Sequence, residues 1–138
     1  MLRVEGVTPI LNVSSVEESV AWFERLGWAQ DFLWQPEGAE TAGFGGVSSG
    51  HGMIFLCRGC QGSRGGPAPK FTGDDATGGV WMSWWVATPA DVDAMHARAL
   101  ELGYEVSMPP TDEPWGVREF HLRHPDGHTF RVGCGLGG

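Results

Sequence analysis

The sequence contains the same order of strand and helix signals twice, and this repeat constrains the fold more than any other feature. In the first half, a strand candidate at residues 7–13 precedes a helix start marked by Ser15 and Glu18, the pair of a capping box. In the second half, a strand candidate at residues 80–87 precedes a helix with Thr88 as N-cap and proline next. Three short strand candidates follow each helix. Each half therefore predicts a β-α-β-β-β module.

The two modules are separated by a segment rich in Gly, Pro and Ser, at about residues 61–79, in which no hydrophobic period survives. Module one then covers about residues 1–60, and module two about residues 80–138. Each half alone is too small to bury its own sheet, so we expect one domain over residues 1–138.

The composition restricts the partners of the chain. The net charge is -8 with only 9 Lys and Arg, which argues against nucleic acid and favours cationic ligands. Apolar residues make up 41% without a membrane-length run, and no signal peptide is visible at the start, so we expect a cytoplasmic protein that contacts no membrane. The three cysteines are an odd number, which favours free thiols in a reducing compartment.

The stretch REFHLRHPDGHTFRV, residues 118–132, predicts a hairpin of two strands around a Pro-Asp-Gly turn. Strand alternation places Phe120 and Leu122 on one face, which should meet a helix. The other face carries Glu119, His121 and, on the second strand, Arg131, and it should line the site that the sheet surrounds.

Three segments carry a family resemblance: VTPILNV at residues 7–13, FGGV at 44–47 and EPWGVREF at 113–120. With the two module patterns, they resemble the vicinal-oxygen-chelate superfamily, and within it the bleomycin-resistance proteins. The resemblance implies an α+β fold in which two βαβββ modules form a curled mixed-sheet cup. It also implies a homodimer with shared pockets.

Enzymes of that superfamily hold a divalent metal with His, Gln and Glu ligands from four strands. The matching positions here are Thr8, Leu56 or Cys57, Trp81 and Arg131. Of these only the cysteine could ligate a metal, and a guanidinium repels a cation. The resemblance therefore favours a protein without metal, cofactor or catalytic residues.

The drug-sequestering branch binds by stacking, and its two stacking positions correspond to Phe44 and Trp115. Trp85 matches a further aromatic residue and shares a strand face with Trp81 and Ser83. Glu119, His121 and Arg131 would add polar contacts. We expect these eight residues to bind a planar, cationic natural product such as bleomycin, and thereby to confer antibiotic resistance without catalysis.

Other interpretations stay open at this point. One is a lyase or ring-cleaving dioxygenase of the same superfamily with a non-standard metal site of Cys57, His121 and Glu119; another is a metal-free catalyst with His121 as general base. The C-x-x-C pair of Cys57 and Cys60 could indicate zinc or redox chemistry, but two ordinary cysteines at a strand exit are favoured. Of the hairpin histidines only His121 should face the pocket, since His124 and His128 sit at the turn.

Overall fold

The computed structural model describes residues 2–65 and 78–137, which form eight strands and two helices. The first module consists of β1 (Ile10–Val13), α1 (Val16–Arg25), β2 (Ala29–Trp34), β3 (Phe44–Ser49) and β4 (Gly52–Arg58). The second consists of β5 (Trp81–Trp85), α2 (Pro89–Glu101), β6 (Glu105–Asp112), β7 (Val117–Arg123) and β8 (Thr129–Gly135). The predicted α+β fold with two β-α-β-β-β modules is confirmed.

Each module forms one four-stranded mixed sheet, and both sheets have the same topology. The strand orders are β1-β4-β3-β2 and β5-β8-β7-β6, and in each the first strand of the module pairs in parallel with the last. The remaining pairs are antiparallel. Each module therefore repeats the other strand for strand.

Both helices begin where the sequence predicts. Thr88 Oγ1 accepts from the Asp91 N–H at 3.2 Å, and the Asp91 carboxylate accepts from the Thr88 N–H at 3.1 Å. At the start of α1, Ser15 Oγ accepts from the Glu18 N–H at 3.2 Å. Both first-turn caps satisfy amides that have no partner within the helix.

The chain divides into two compact units, Met1–Gln61 and Gly62–Gly138, and each unit contains one module. In the first unit the side chains of Leu11, Leu56 and Phe23 are fully buried, so one face of the sheet packs on α1. One domain over residues 1–138 stays a prediction. The greater part of the predicted Gly-rich segment, residues 66–77, lies outside the described residues.

In the second unit, the apolar face of the β7-β8 hairpin is buried as predicted. Phe120, Leu122 and Phe130 are fully buried, and the Phe120 ring contacts His96 of α2 with ring centroids 5.3 Å apart. Trp84 stacks on Phe130, with ring centroids 4.3 Å apart. His96, which contacts Phe120, is half-buried.

The cysteines differ from the expectation of free thiols. Cys57 and Cys60 are joined in a disulfide with Cα atoms 5.7 Å apart, and only Cys134 is a free thiol, buried in β8. None of the described helices is long and apolar enough to cross a membrane.

Candidate functional site

The second unit contains a cavity of about 290 Å³ on the sheet face opposite α2. Strands β5, β7 and β8 place polar and aromatic side chains there because alternate residues of a strand point to the same face. The cavity is lined by Trp81, Met108, Glu113, Trp115, Glu119, His121 and Arg131. Its size fits one planar ring system better than a whole large natural product.

Arg131 and Glu119 form the electrostatic centre of the cavity. Arg131 Nε donates to Glu119 Oε2 at 2.7 Å and Nη2 donates to Oε1 at 2.9 Å. Burial alone would raise the pKa of Glu119, but the hydrogen bonds and charge of Arg131 outweigh it and lower that pKa. The same hydrogen bonds raise the pKa of Arg131. Both groups are therefore ionised, and their charges cancel inside the wall.

The Arg131 guanidinium also lies over an aromatic ring. Its Cζ is 5.2 Å from the centroid of the Trp81 ring, which is cation–π geometry. Trp81 also has an edge-to-face contact with His121, with ring centroids 6.2 Å apart, so two contacts orient it although 61% of the residue is exposed. The ring is a preformed flat surface at the cavity wall.

Arg131 is unsuited to a metal site because a guanidinium supplies no ligand atom. Both carboxylate oxygens of Glu119 accept hydrogen bonds from Arg131, which reduces their availability to a cation.

His121 lies beside the ion pair and is almost fully buried, with 3% of its surface exposed. Its Nε2 is 3.4 Å from Glu119 Oε2, longer than an ordinary hydrogen bond. Burial lowers the pKa of His121, and the Glu119 carboxylate only partly opposes this. The imidazole is therefore neutral near pH 7 and can offer a ligand one donor or one acceptor.

Two lining residues were missed by the sequence analysis, Met108 and Glu113. Met108 belongs to β6, where the register with β7 shifts between Val106 and Met108 and again before Thr111. Such irregularities redirect side chains, so alternation counted along the sequence fails there. Glu113 follows β6 directly, and a signal for it existed because it precedes Trp115 in the quoted EPWG stretch.

Three exposed tryptophans were predicted to bind ligand, and the structure separates them. Trp115 and Trp81 line the cavity, with exposures of 63% and 61%. Trp85 has a similar exposure of 67%, and Ser83 precedes it by two residues, but neither lines this cavity. Both occupy the β5 face that also carries Trp81, nearer the end of the strand.

Phe44 belongs to the first unit and so is not among the residues around this cavity. It forms an aromatic cluster with Phe32 and Phe55, with ring centroids 5.6 and 5.4 Å away. Its cross-strand neighbour in β4 is Cys57. Its predicted role in stacking stays a prediction of the resemblance.

The two turn histidines do not line the cavity, as expected, and both are buried. His128 Nδ1 accepts from the Val80 N–H at 2.9 Å, and His124 Nδ1 accepts from the Asp126 N–H at 3.0 Å. Burial, reinforced by His128, lowers the pKa of His124 to about 3. Both side chains therefore stabilise the turn and the start of β5.

The residues at the superfamily's metal positions do not fit a metal. Trp81 and Arg131 supply no ligand atoms, and Thr8 and Leu56 or Cys57 belong to the first unit. Cys57 is in addition bonded to Cys60. Across residues 2–65 and 78–137, no three His, Cys, Asp or Glu side chains are grouped to hold a metal ion.

The chain is similar to one known family along nearly its whole length. The model of the Glyoxalase/Bleomycin resistance protein/Dioxygenase superfamily matches residues 4–132. A comparison with curated proteins gives no match.

Solved structures with the same fold include three whose descriptions name a protein. TioX from Micromonospora sp. ML1 has a TM-score of 0.70 at 22% identity, over 96% of this chain and 100% of TioX. A bleomycin resistance determinant encoded on the transposon Tn5 has a TM-score of 0.66 at 18% identity, over 96% and 98% of the two chains. A bleomycin-binding protein complexed with bleomycin has a TM-score of 0.64 at 18% identity, over 95% of this chain and 98% of that protein's chain. At these identities the likeness concerns the fold.

Proposed function

The chain belongs to the glyoxalase/bleomycin resistance protein/dioxygenase superfamily, and we propose that it is a binding protein that sequesters a planar, cationic natural product. The superfamily contains both enzymes and bleomycin-resistance proteins, so membership alone does not choose between catalysis and binding. The observation that carries the proposal is the composition of the cavity wall, in which two tryptophan rings accompany a neutralised ion pair.

The aromatic part of the ligand would stack on Trp115 and Trp81. A flat heteroaromatic group placed against an indole gains apolar burial plus about 0.5–1.5 kcal/mol for each aromatic pair. The Trp81 ring is already held by Arg131 at 5.2 Å, so little side-chain ordering remains to be done on binding.

The cationic part would lie near Glu113. Glu119 and Arg131 cancel each other, so Glu113 gives the lining a net negative charge. The charge of -8 on the whole chain adds long-range attraction for cations. Neutral His121 would complete recognition by one hydrogen bond at the edge of the ring system.

Sequestration needs no reacting group, which agrees with a wall whose carboxylate is held by Arg131. We propose that the protein releases its ligand chemically unchanged and forms a homodimer in the cytoplasm, as in the bleomycin-resistance branch that it resembles. Light scattering of the purified chain would measure the number of subunits.

Two matched tryptophan variants test the proposal. Trp115→Ala should weaken binding of a planar cation by about 2 kcal/mol, roughly thirtyfold in Kd, because a stacking surface is removed. Trp85→Ala changes an equally exposed residue outside the cavity and should bind as the parent protein does. Calorimetric titration with bleomycin measures both, and chromatography of the recovered drug checks that it is unaltered. Equal affinities in the two variants would refute the stacking site.

A further inference from the structure

The disulfide at the end of β4 has no part in the proposed binding site. Cys57 is the penultimate residue of β4, and Cys60 follows after Arg58 and Gly59. We propose that this pair is a thiol–disulfide exchange site, which reacts reversibly with small thiols and disulfides. The inference is independent of the ligand-binding proposal.

The bond closes too short a loop to be explained as a staple of the fold. Only Arg58 and Gly59 lie between the cysteines. A disulfide stabilises chiefly by restricting the unfolded chain, and this effect is smallest for the shortest loops. Strand pairing supplies the long-range backbone hydrogen bonds of the first unit, so we expect the fold to survive reduction of the bridge.

Backbone contacts hold both cysteines in place whether or not the bond is present. Cys57 is flanked in the sheet by Asn12 of β1 and Phe44 of β3. Gly59 turns the chain with a φ of +67°, and Asn12 Nδ2 donates to the Cys60 carbonyl at 3.0 Å. Two thiols would therefore remain facing each other after reduction, ready to form the bond again.

Both sulfur-bearing residues are half-buried, so a small thiolate can approach from solvent. The remaining cysteine, Cys134, is buried with 7% exposure and belongs to the second unit. Cys134 is therefore an internal control, because a reagent that modifies Cys57 and Cys60 in the native chain should not reach it.

The exchange balances with a monothiol as reductant. A thiolate attacks one sulfur of the bridge, forms a mixed disulfide and releases the other cysteine as a thiolate, which takes up a proton. A second thiol attacks the mixed disulfide, so the chain gains two electrons and two protons while two thiols become one disulfide. Oxidation by a small disulfide is the reverse sequence.

The test uses the native 138-residue chain. The protein is incubated with dithiothreitol, alkylated with iodoacetamide without denaturant, and mapped by peptide mass spectrometry. We expect complete labelling of Cys57 and Cys60, no labelling of Cys134, and an unchanged near-ultraviolet circular dichroism spectrum. Oxidised glutathione should then restore the bridge within the same chain. A pair that stays unlabelled until denaturant is added would overturn the proposal, as would reduction that abolishes the near-ultraviolet spectrum.

Single variants provide a second readout that does not rely on reduction. Cys60→Ser leaves the Cys57 thiol without its partner, and oxidised glutathione should trap one glutathione on it in the native state. Cys57→Ser should be trapped at Cys60 in the same way. Absence of adducts in both folded variants would contradict an accessible exchange site.

Discussion

Replacing Arg131 by Met should destabilise the protein more than a substitution of Glu119, its partner in the buried ion pair. The substitution keeps most of the aliphatic volume and removes the guanidinium that neutralises Glu119. The Glu119 side chain is 3% exposed and Arg131 is 26% exposed, so the loss leaves a buried carboxylate without its counter-charge. Breaking a buried pair in this way costs 3–5 kcal/mol, and partial exposure of Arg131 reduces the expected loss to about 3 kcal/mol at pH 7.

The pH dependence of this loss has a defined sign. In the parent protein, Arg131 holds the pKa of Glu119 below its usual value, so the pair stabilises above about pH 4.5 and the contribution is lost as the pH falls through the folded pKa. In Arg131→Met, only the weaker influence of His121 still opposes burial, so we expect burial to raise the pKa of Glu119. The folded state then binds a proton that the unfolded state has released, so the variant loses stability as the pH rises from 4.5.

Urea unfolding monitored by tryptophan fluorescence, from pH 4.5 to 7, measures this difference. Taking the difference between variant and parent cancels the contribution of all other titratable groups to the pH dependence of the free energy of unfolding. Glu119→Gln leaves a half-exposed cation and should cost only about 1 kcal/mol, and the double variant should recover most of the single Arg131 loss. Arg98→Met, at an exposed pair with Glu101, should stay within about 0.5 kcal/mol. A pH-independent loss below 1 kcal/mol in Arg131→Met would contradict a buried Glu119 carboxylate that Arg131 neutralises.

Two further variants test other parts of the account. Glu113→Gln should weaken binding of a planar cation by about 1 kcal/mol, roughly fivefold in Kd, and the effect should be smaller at high salt. Glu105→Gln, at an exposed position of β6, is the control and should leave the affinity unchanged. Equal affinities of the two variants would contradict the role of Glu113 as the cation-binding carboxylate. The folded pKa of His124 is about 3, so the unfolded chain binds a proton that the folded chain excludes. We therefore expect the free energy of unfolding to fall by roughly 1.4 kcal/mol per pH unit as the pH decreases from 6.5 towards 3. His124→Asn can keep the acceptor for the Asp126 N–H and should flatten that slope in acid titrations of stability; an unchanged slope would contradict the assignment.

The order of strands and helices could be predicted because its signals are local. Thr88, Pro89 and Asp91 specify a helix start within four residues, and the capping box forms as expected. Alternation in β7 likewise predicted which residues face the helix and which face the cavity. Family resemblance added the curled mixed-sheet cup, but the order and pairing of the strands became known only from the structure.

The composition of the cavity was only partly predictable. Trp115, Glu119 and Arg131 follow from the hairpin and the quoted motif, but the bidentate contact between the last two depends on how β7 and β8 align. Met108 escaped prediction because register shifts in β6 change the face on which it lies. These are long-range features of the sheet, and a single sequence does not specify them.

The pairing of the cysteines and the partner of His128 were not predicted for a related reason. His128 is buried, and its Nδ1 accepts from the Val80 N–H, a partner 48 residues away. Cys57 and Cys60 were taken as ordinary thiols because an odd cysteine count gives no pairing. Only the turn at Gly59 and the support from Asn12 bring them together.

The most direct test of sequestration is a titration of chelator-treated protein with bleomycin, and then with other planar DNA-directed antibiotics, monitored by intrinsic tryptophan fluorescence. Trp81 and Trp115 lie at the cavity, so stacking should quench their emission. We expect saturable quenching at about one ligand per chain in the absence of metal. No response to any of these ligands, or quenching that requires an added metal ion, would contradict it.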